Sequence, residues 1–174
     1  MDERLSDYVR GQWPALVRYA TLVSGDAAQG EELAQAALVR VAARWPFVRD
    51  KDNPDLYVKR AIVNAQRNVW RRLRSRETPV SEVPEVAVDI DAIAAVDDHE
   101  LIRRALAQLP RRQRAVLVMR YLDDWSEQQT AAALGCSVGT VKSQASKGLV
   151  KMRALLAVAP SAASLDPSAE GRER

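Results

Sequence analysis

One cysteine, one histidine and one phenylalanine are present in 174 residues, and glycine is limited to seven. With Cys136 as the single thiol, no internal disulfide can form, and with His99 as the single imidazole no zinc knuckle or His-rich metal centre can be assembled. No apolar run approaches the ~20 residues needed to span a bilayer. The opening MDERLSDYVRGQW is acidic and amphipathic, unlike a secretory leader, so the expected location is cytoplasmic and no membrane partner is expected. A glycine-rich phosphate loop and a nucleophile–base grouping are also missing. Asp123 and Asp124 adjoin each other in a turn-like stretch, but no His, metal ligand or nucleophile accompanies them. These absences point away from an enzyme and from any cofactor.

What remains is a vocabulary dominated by Ala, Leu, Val and Arg, 47% hydrophobic, 28% charged and 5% aromatic, which favours helices over sheets. The net charge of +3 hides a segregation. Residues 1–76 hold 14 basic against 9 acidic side chains, residues 77–100 hold 8 acids and no base, and residues 101–160 hold 10 bases against 3 acids. Two basic blocks joined by an acidic connector fit two modules that each face a polyanion, although two solvated surfaces would give the same pattern. Thr78-Pro79 and Val83-Pro84 interrupt any helix. The expected organisation is all-α, with two small helical domains joined by a flexible acidic linker. Their expected bounds are 1–76 and 97–157, with the linker at 77–96 and a frayed Pro/Ser/Ala-rich tail at 158–174.

Within the first block, Leu5, Tyr8, Val9, Trp13, Leu16, Val17 and Ala20 predict a helix from Asp2 to about Ser24, which Pro14 could kink. Ser24-Gly25-Asp26 is a turn. Leu33, Ala34, Ala37, Leu38 and Val41 predict a second helix, and a polar loop from Pro46 to Pro54 leads to a third over Asp55–Arg74, with Val58, Ala61, Ile62, Ala65, Val69 and Leu73 as its inner stripe. The second block predicts helices near 98–108 and 111–122, the latter with Ala115, Val116, Val118 and Met119 inward.

Two shorter helices follow. Ser126 with Gln129 has the capping-box form, Gly135 permits the left-handed residue that ends a helix, and Ser137 caps the next. Val138, Val141, Ala145, Leu149 and Met152 form one face of that last helix. Gly139, Thr140, Lys142, Ser143, Ser146 and Lys147 collect on the other. Small hydroxyl side chains and lysines let a helix approach base edges and phosphates in the major groove, as in a helix-turn-helix. By itself this motif does not separate a repressor from a polymerase subunit, and a helical hairpin with a solvated face has the same pattern.

Leu109-Pro110 with Arg114, then Tyr121-Leu122 and the run GCSVGTVKS from Gly135 to Ser143, resemble region 4 of the extracytoplasmic-function (ECF) sigma factors of bacterial RNA polymerase, which belong to the sigma-70 superfamily. Glu31-Glu32-Leu33-Ala34-Gln35 resembles the acidic stretch of their region 2, and YVKRAIVNAQRNVWRR from Tyr57 to Arg72 resembles their −10 region, with Asn64 at the position of the family's Asn. The likeness spans about residues 10–156 and leans towards the SigE-like actinobacterial group. Tyr57, Asn68 and Ala36 stand where the family commonly has Trp, Asp and Glu.

The resemblance implies a non-catalytic subunit that directs core polymerase to promoters and helps melt DNA. It implies that Glu31, Glu32, Gln35, Leu38 and Val39 dock on the clamp helices of the largest subunit, that region 4 meets the flap, and that Lys59, Arg60, Asn64, Arg67, Trp70 and Arg71 handle the −10 element. Gly139, Thr140, Lys142, Ser143, Ser146 and Lys147 would read the −35 element, and an anti-sigma factor is a possible further partner. Three rivals remain at this point. They are a free-standing regulator that dimerises through its N-terminal helices, a recombinase using Tyr57 beside Arg60, and a pure protein-interaction module.

Overall fold

A computed structural model describes residues 3–48, 54–74 and 99–158. The expected linker at 77–96, the tail from 159 onward and most of the polar loop before Pro54 lie outside the described residues. Seven α-helices and two short turns of tighter or wider pitch make up the described chain, and no strand occurs among those residues.

Helix α1 (Glu3–Ser24) runs unbroken through Pro14, which sits exposed. It stops because Gly25 takes a left-handed conformation (φ +83°) and returns its N–H to the Thr21 carbonyl at 2.7 Å. Asp26 then caps α2 (Ala27–Arg44), accepting from the Gln29 amide at 2.8 Å. Small residues on α2 let it lie close to α1. Above all, a Cβ on Gly30 would stand 2.7 Å from the Thr21 Cα. A 3₁₀ turn (Trp45–Phe47) ends α2, and α3 (Pro54–Arg74) opens on a proline, whose missing N–H costs nothing in a first turn. Leu5, Leu16, Ala20, Val23, Val41, Val58 and Ile62 interlock these three helices.

The second half comprises α4 (His99–Gln108), α5 (Arg111–Leu117), a π-helical turn (Val118–Leu122), α6 (Glu127–Leu134) and α7 (Val138–Val158). The single helix expected over 111–122 divides here. Its last five residues widen to π pitch as the Trp125 amide reaches back to the Met119 carbonyl at 2.9 Å. Both halves of the capping box form at Ser126, with the Gln129 amide donating to Ser126 Oγ at 3.0 Å and the Ser126 amide donating to Gln129 Oε1 at 2.7 Å. Gly135, at φ +65°, ends α6, and Ser137 Oγ accepts from the Thr140 amide at 3.1 Å to start α7. Val141, Ala145, Leu149 and Met152 are buried as their spacing predicts.

The two halves do not stand apart. Helices α4 and α5 pack on α1, and α6 packs on α3, so the buried residues form one continuous core from Leu5 to Met152. This changes the α3 stripe. Val58, Ile62 and Ala65 are buried as expected, but Val63, Gln66 and Trp70 are buried too, and Val69 is only half-buried. Partners lie on two sides of α3.

Candidate nucleic-acid interface

The basic face of α3 meets the second module. Lys59 forms ion pairs with Asp55 one turn earlier, at 2.8 Å, and with Asp123 beyond the π turn. Burial alone would lower the Lys59 pKa, but the hydrogen bonds to Asp123 and Asp55 outweigh it and the ammonium is held above its ordinary value. Asp123 also accepts from the Trp125 indole N–H at 2.5 Å, and the Arg60 guanidinium lies 6.0 Å from the centre of the Trp125 ring. Further along α3, Arg67 Nη1 donates to the Ala133 carbonyl at 3.3 Å, at the C-terminal end of α6. Tyr8 donates to Asp55 at 2.7 Å, and burial together with these carboxylates pushes the Tyr8 and Tyr19 phenols far up.

Of the expected −10 residues, Arg60, Asn64 and Arg71 are exposed, Lys59 and Arg67 are half-buried and engaged, and Trp70 is buried. The sequence leaves Trp70 open between stacking on DNA and contacting an adjoining helix, and in this arrangement its indole packs at the junction with the second module. On α7, Gly139 and Lys142 are exposed, while Thr140, Ser143, Ser146 and Lys147 are half-buried along the same helix. Thr140 lines the same small cavity as Arg67, Trp70 and Arg71. Lys142 lies 3.8 Å from Glu127, a loose surface pair. On α2, Glu31, Glu32 and Gln35 are exposed, Leu38 is half-buried and Val39 is 72% exposed.

Three residues take parts that the sequence reading did not assign them. Phe47, the chain's single phenylalanine, is 84% exposed at the end of the 3₁₀ turn that leads towards α3. A large apolar side chain in a polar loop was the available signal. Asp123 gave no signal, since its partner Lys59 is 64 positions away. Arg114 is buried and donates to the carbonyls of Val23 (3.2 Å), Ser24, Ala107 (3.1 Å) and Leu109 (3.3 Å). Burial and the neighbouring Arg111 charge lower its pKa, and the carbonyl ends of α1 and α4 supply the compensating negative dipole. Cys136 is half-buried in the cavity and its thiol is pushed up by burial, against a smaller opposite pull from Arg112. No group of three or more potential metal ligands gathers among the described residues, and no helix there is long and apolar enough to cross a membrane.

The pair α6 and α7, joined at Gly135, has the form of the helix-turn-helix class of DNA-binding elements. Residues 99–152 match the family described as Sigma-70, region 4. The chain is 37% identical over 147 residues to the RNA polymerase sigma-E factor of Streptomyces avermitilis, covering 84% of this chain and 82% of that protein. It is 35% identical over 134 residues to the ECF RNA polymerase sigma factor SigL of Mycobacterium tuberculosis, covering 74% and 75% respectively. Among solved structures, the Bartonella quintana sigma factor RpoE, crystallised with the anti-sigma factor NepR, superposes with a TM-score of 0.61 at 22% identity, over 88% of this chain and 96% of that one. The chain belongs to the ECF RNA polymerase sigma factors. It is a regulatory protein that directs polymerase to promoters at transcription initiation.

Proposed function

We propose that residues 1–76 act as region 2, binding core polymerase and recognising and melting the −10 element, while residues 97–157 act as region 4 and read the −35 element. The observation that carries this division is the segregation of charge and exposure. Basic side chains line α3 and α7, whereas α2 turns Glu31, Glu32 and Gln35 outward beside the exposed Val39. An exposed apolar side chain with acids earlier on the same helix suits a protein partner, and the acids repel DNA phosphates.

Arg60, Asn64 and Arg71, with Lys59, Arg67 and Trp70 once freed, would hold the unpaired −10 strand. Unstacking a base costs a few kcal/mol, which stacking and phosphate contacts must offset. The exposed Phe47 adds a stacking surface at the near end of α3. Gly139, Thr140, Lys142, Ser143, Ser146 and Lys147 on α7 would enter the major groove, hydroxyls meeting bases and lysines meeting phosphates. An anti-sigma factor, the partner of the Bartonella protein, is a further expected partner.

Run-off transcription tests this reading. Core polymerase with the chain should initiate at discrete sites on a pool of genomic fragments. Val39→Asp should remove co-elution with core, and Asn64→Ala should leave co-elution intact while removing transcripts. Stable promoter binding by the chain alone, without co-elution with core, would defeat the reading.

A further inference from the structure

We propose that the small cavity between α3, α5 and α7 is a binding site for a tetrahedral phosphate dianion, free or at the end of a small phosphomonoester. The inference is independent of the promoter reading above, since it concerns a small anion taken up without DNA. The cavity measures about 40 Å³. A single water needs roughly 10–15 Å³, so about three water-sized groups fit. That suits one tetrahedral oxyanion and is too small for a nucleobase.

Three helices bring donors to this space. Arg67, Trp70 and Arg71 are three and four residues apart on α3 and so share one face, Arg112 comes from the first turn of α5, and Thr140 and Gln144 are one turn apart on α7. No acidic residue is among those that line the cavity. Three guanidiniums without a lining carboxylate repel one another, and an anion between them replaces that repulsion with attraction. The bonds already made leave donors over. Arg67 uses Nη1 on the Ala133 carbonyl at 3.3 Å, and Arg71 uses Nη2 on the neutral Asn68 amide oxygen at 2.8 Å, whereas each guanidinium carries five N–H donors.

Trp70 adds an observation of a different kind. It is only 9% exposed, and its Nε1–H, which can donate but not accept, has no partner among the described residues. A phosphate oxygen is an acceptor that would satisfy it. Forked guanidinium donors match phosphate oxygens in pairs, which favours phosphate over a spherical anion such as chloride. Cys136 also lines the cavity, and burial holds its thiol above the ordinary value, so it brings no negative charge at neutral pH. Gly135 leaves room for the first arginine, because a Cβ there would stand 2.7 Å from Arg67 Nη1.

The test titrates the full chain, labelled with nitrogen-15 at its four tryptophans, with inorganic phosphate in phosphate-free buffer at fixed ionic strength. One indole N–H signal, the one missing from Trp70→Phe, should shift saturably, while chloride leaves it in place. Arg112→Gln changes an exposed residue outside the set assigned to promoter DNA, and it should weaken phosphate binding at least tenfold. Arg111→Gln removes the same charge from an exposed neighbour that does not line the cavity, and it should change the affinity less than twofold. Should Trp70→Phe misfold, selective loss of the shift in Arg112→Gln identifies the same signal. Glycerol phosphate binding at least as tightly as inorganic phosphate makes a phosphomonoester the ligand, and binding about tenfold weaker makes it the free ion. Dimethyl phosphate, a singly charged diester, binding as tightly as inorganic phosphate overturns the proposal in favour of a nucleic-acid backbone contact. Equal losses in the two arginine variants, or an indole signal that follows ionic strength alone, overturn it as well. Co-elution with core and run-off transcription test the promoter reading separately, so either reading can fail without the other.

Discussion

Arg114 on α5 donates through Nη2 to the backbone carbonyl of Ser24, 90 positions earlier in the chain, at the point where α1 ends. With Nε on Val23 and Nη1 on Ala107 and Leu109, one guanidinium satisfies carbonyls at the ends of two helices from different modules. Truncating it leaves those buried acceptors unpaired, at roughly 1–3 kcal/mol for each poorly rescued group. Arg114→Ala should lower the unfolding free energy by about 3 kcal/mol in urea titrations. Arg114→Lys should recover less than half of that, because a single ammonium cannot reproduce the fork. A loss within ~0.5 kcal/mol of wild type would mean the carbonyls find other partners.

The contact between α1 and α2 depends on Gly30. A methyl group there would press on the Thr21 backbone, which cannot move aside as a flexible side chain can. Gly30→Ala should cost about 1–3 kcal/mol. Gly11, exposed on α1 with nothing within 4 Å of a Cβ, is the control. Gly11→Ala should stabilise by up to ~1 kcal/mol through helix propensity. Thermal melts of the two variants should move in opposite directions.

Phe47 is too exposed to hold the fold together. Phe47→Ala should leave the melting temperature unchanged and act on promoter opening. Base–aromatic stacking is worth roughly 1–3 kcal/mol, so permanganate reactivity of unpaired −10 thymines should fall about tenfold in the holoenzyme. Loss of stability with normal opening would assign Phe47 to the fold instead.

The lysines of α7 should contribute mainly to the salt dependence of promoter binding. Lys142→Ala and Lys147→Ala should each reduce the slope of log affinity against log salt by about 1. Thr140→Val should leave the slope intact and alter sequence preference. Anisotropy titrations of the holoenzyme between 50 and 200 mM salt, roughly the range over which phosphate contacts weaken, distinguish the two effects.

Burial raises the Cys136 thiol pKa, with the Arg112 charge opposing it only partly. A group whose pKa is raised by burial favours the packed arrangement while protonated, and that contribution is lost as pH rises through the raised value. The pH profile of Cys136 alkylation should therefore have its midpoint above the ordinary thiol value. In Asp123→Asn it should move back down. Identical midpoints in both proteins would count against packing at the module junction as the source of the shift.

Much of each module was legible from local spacing. Leu33, Ala34, Ala37 and Val41 on α2, and Val141, Ala145, Leu149 and Met152 on α7, are buried where a 3.6-residue period puts them. The caps at Ser126 and Gly135 were equally plain, because capping chemistry is local. The junction between modules was not. A period reports one buried face, so Val63, Gln66 and Trp70 on the second face of α3 fell outside the expected stripe, and Asp123 looked like a turn residue without a partner. Contacts across 64 or 90 positions leave no mark on spacing. The π turn at Val118–Leu122 was hidden for a related reason, since the backbone bond from Trp125 that accompanies it is independent of side-chain pattern.

The shared cavity has an evolutionary consequence. Arg67, Trp70 and Thr140 line it together, so a substitution at any of them alters how the two modules fit each other. If the proposed promoter contacts at these positions drifted, the fit between the modules would drift with them. Compensating changes should then accumulate at positions that touch only the junction, with Asp123 and the residue at 135 the first places to look when paralogues diverge.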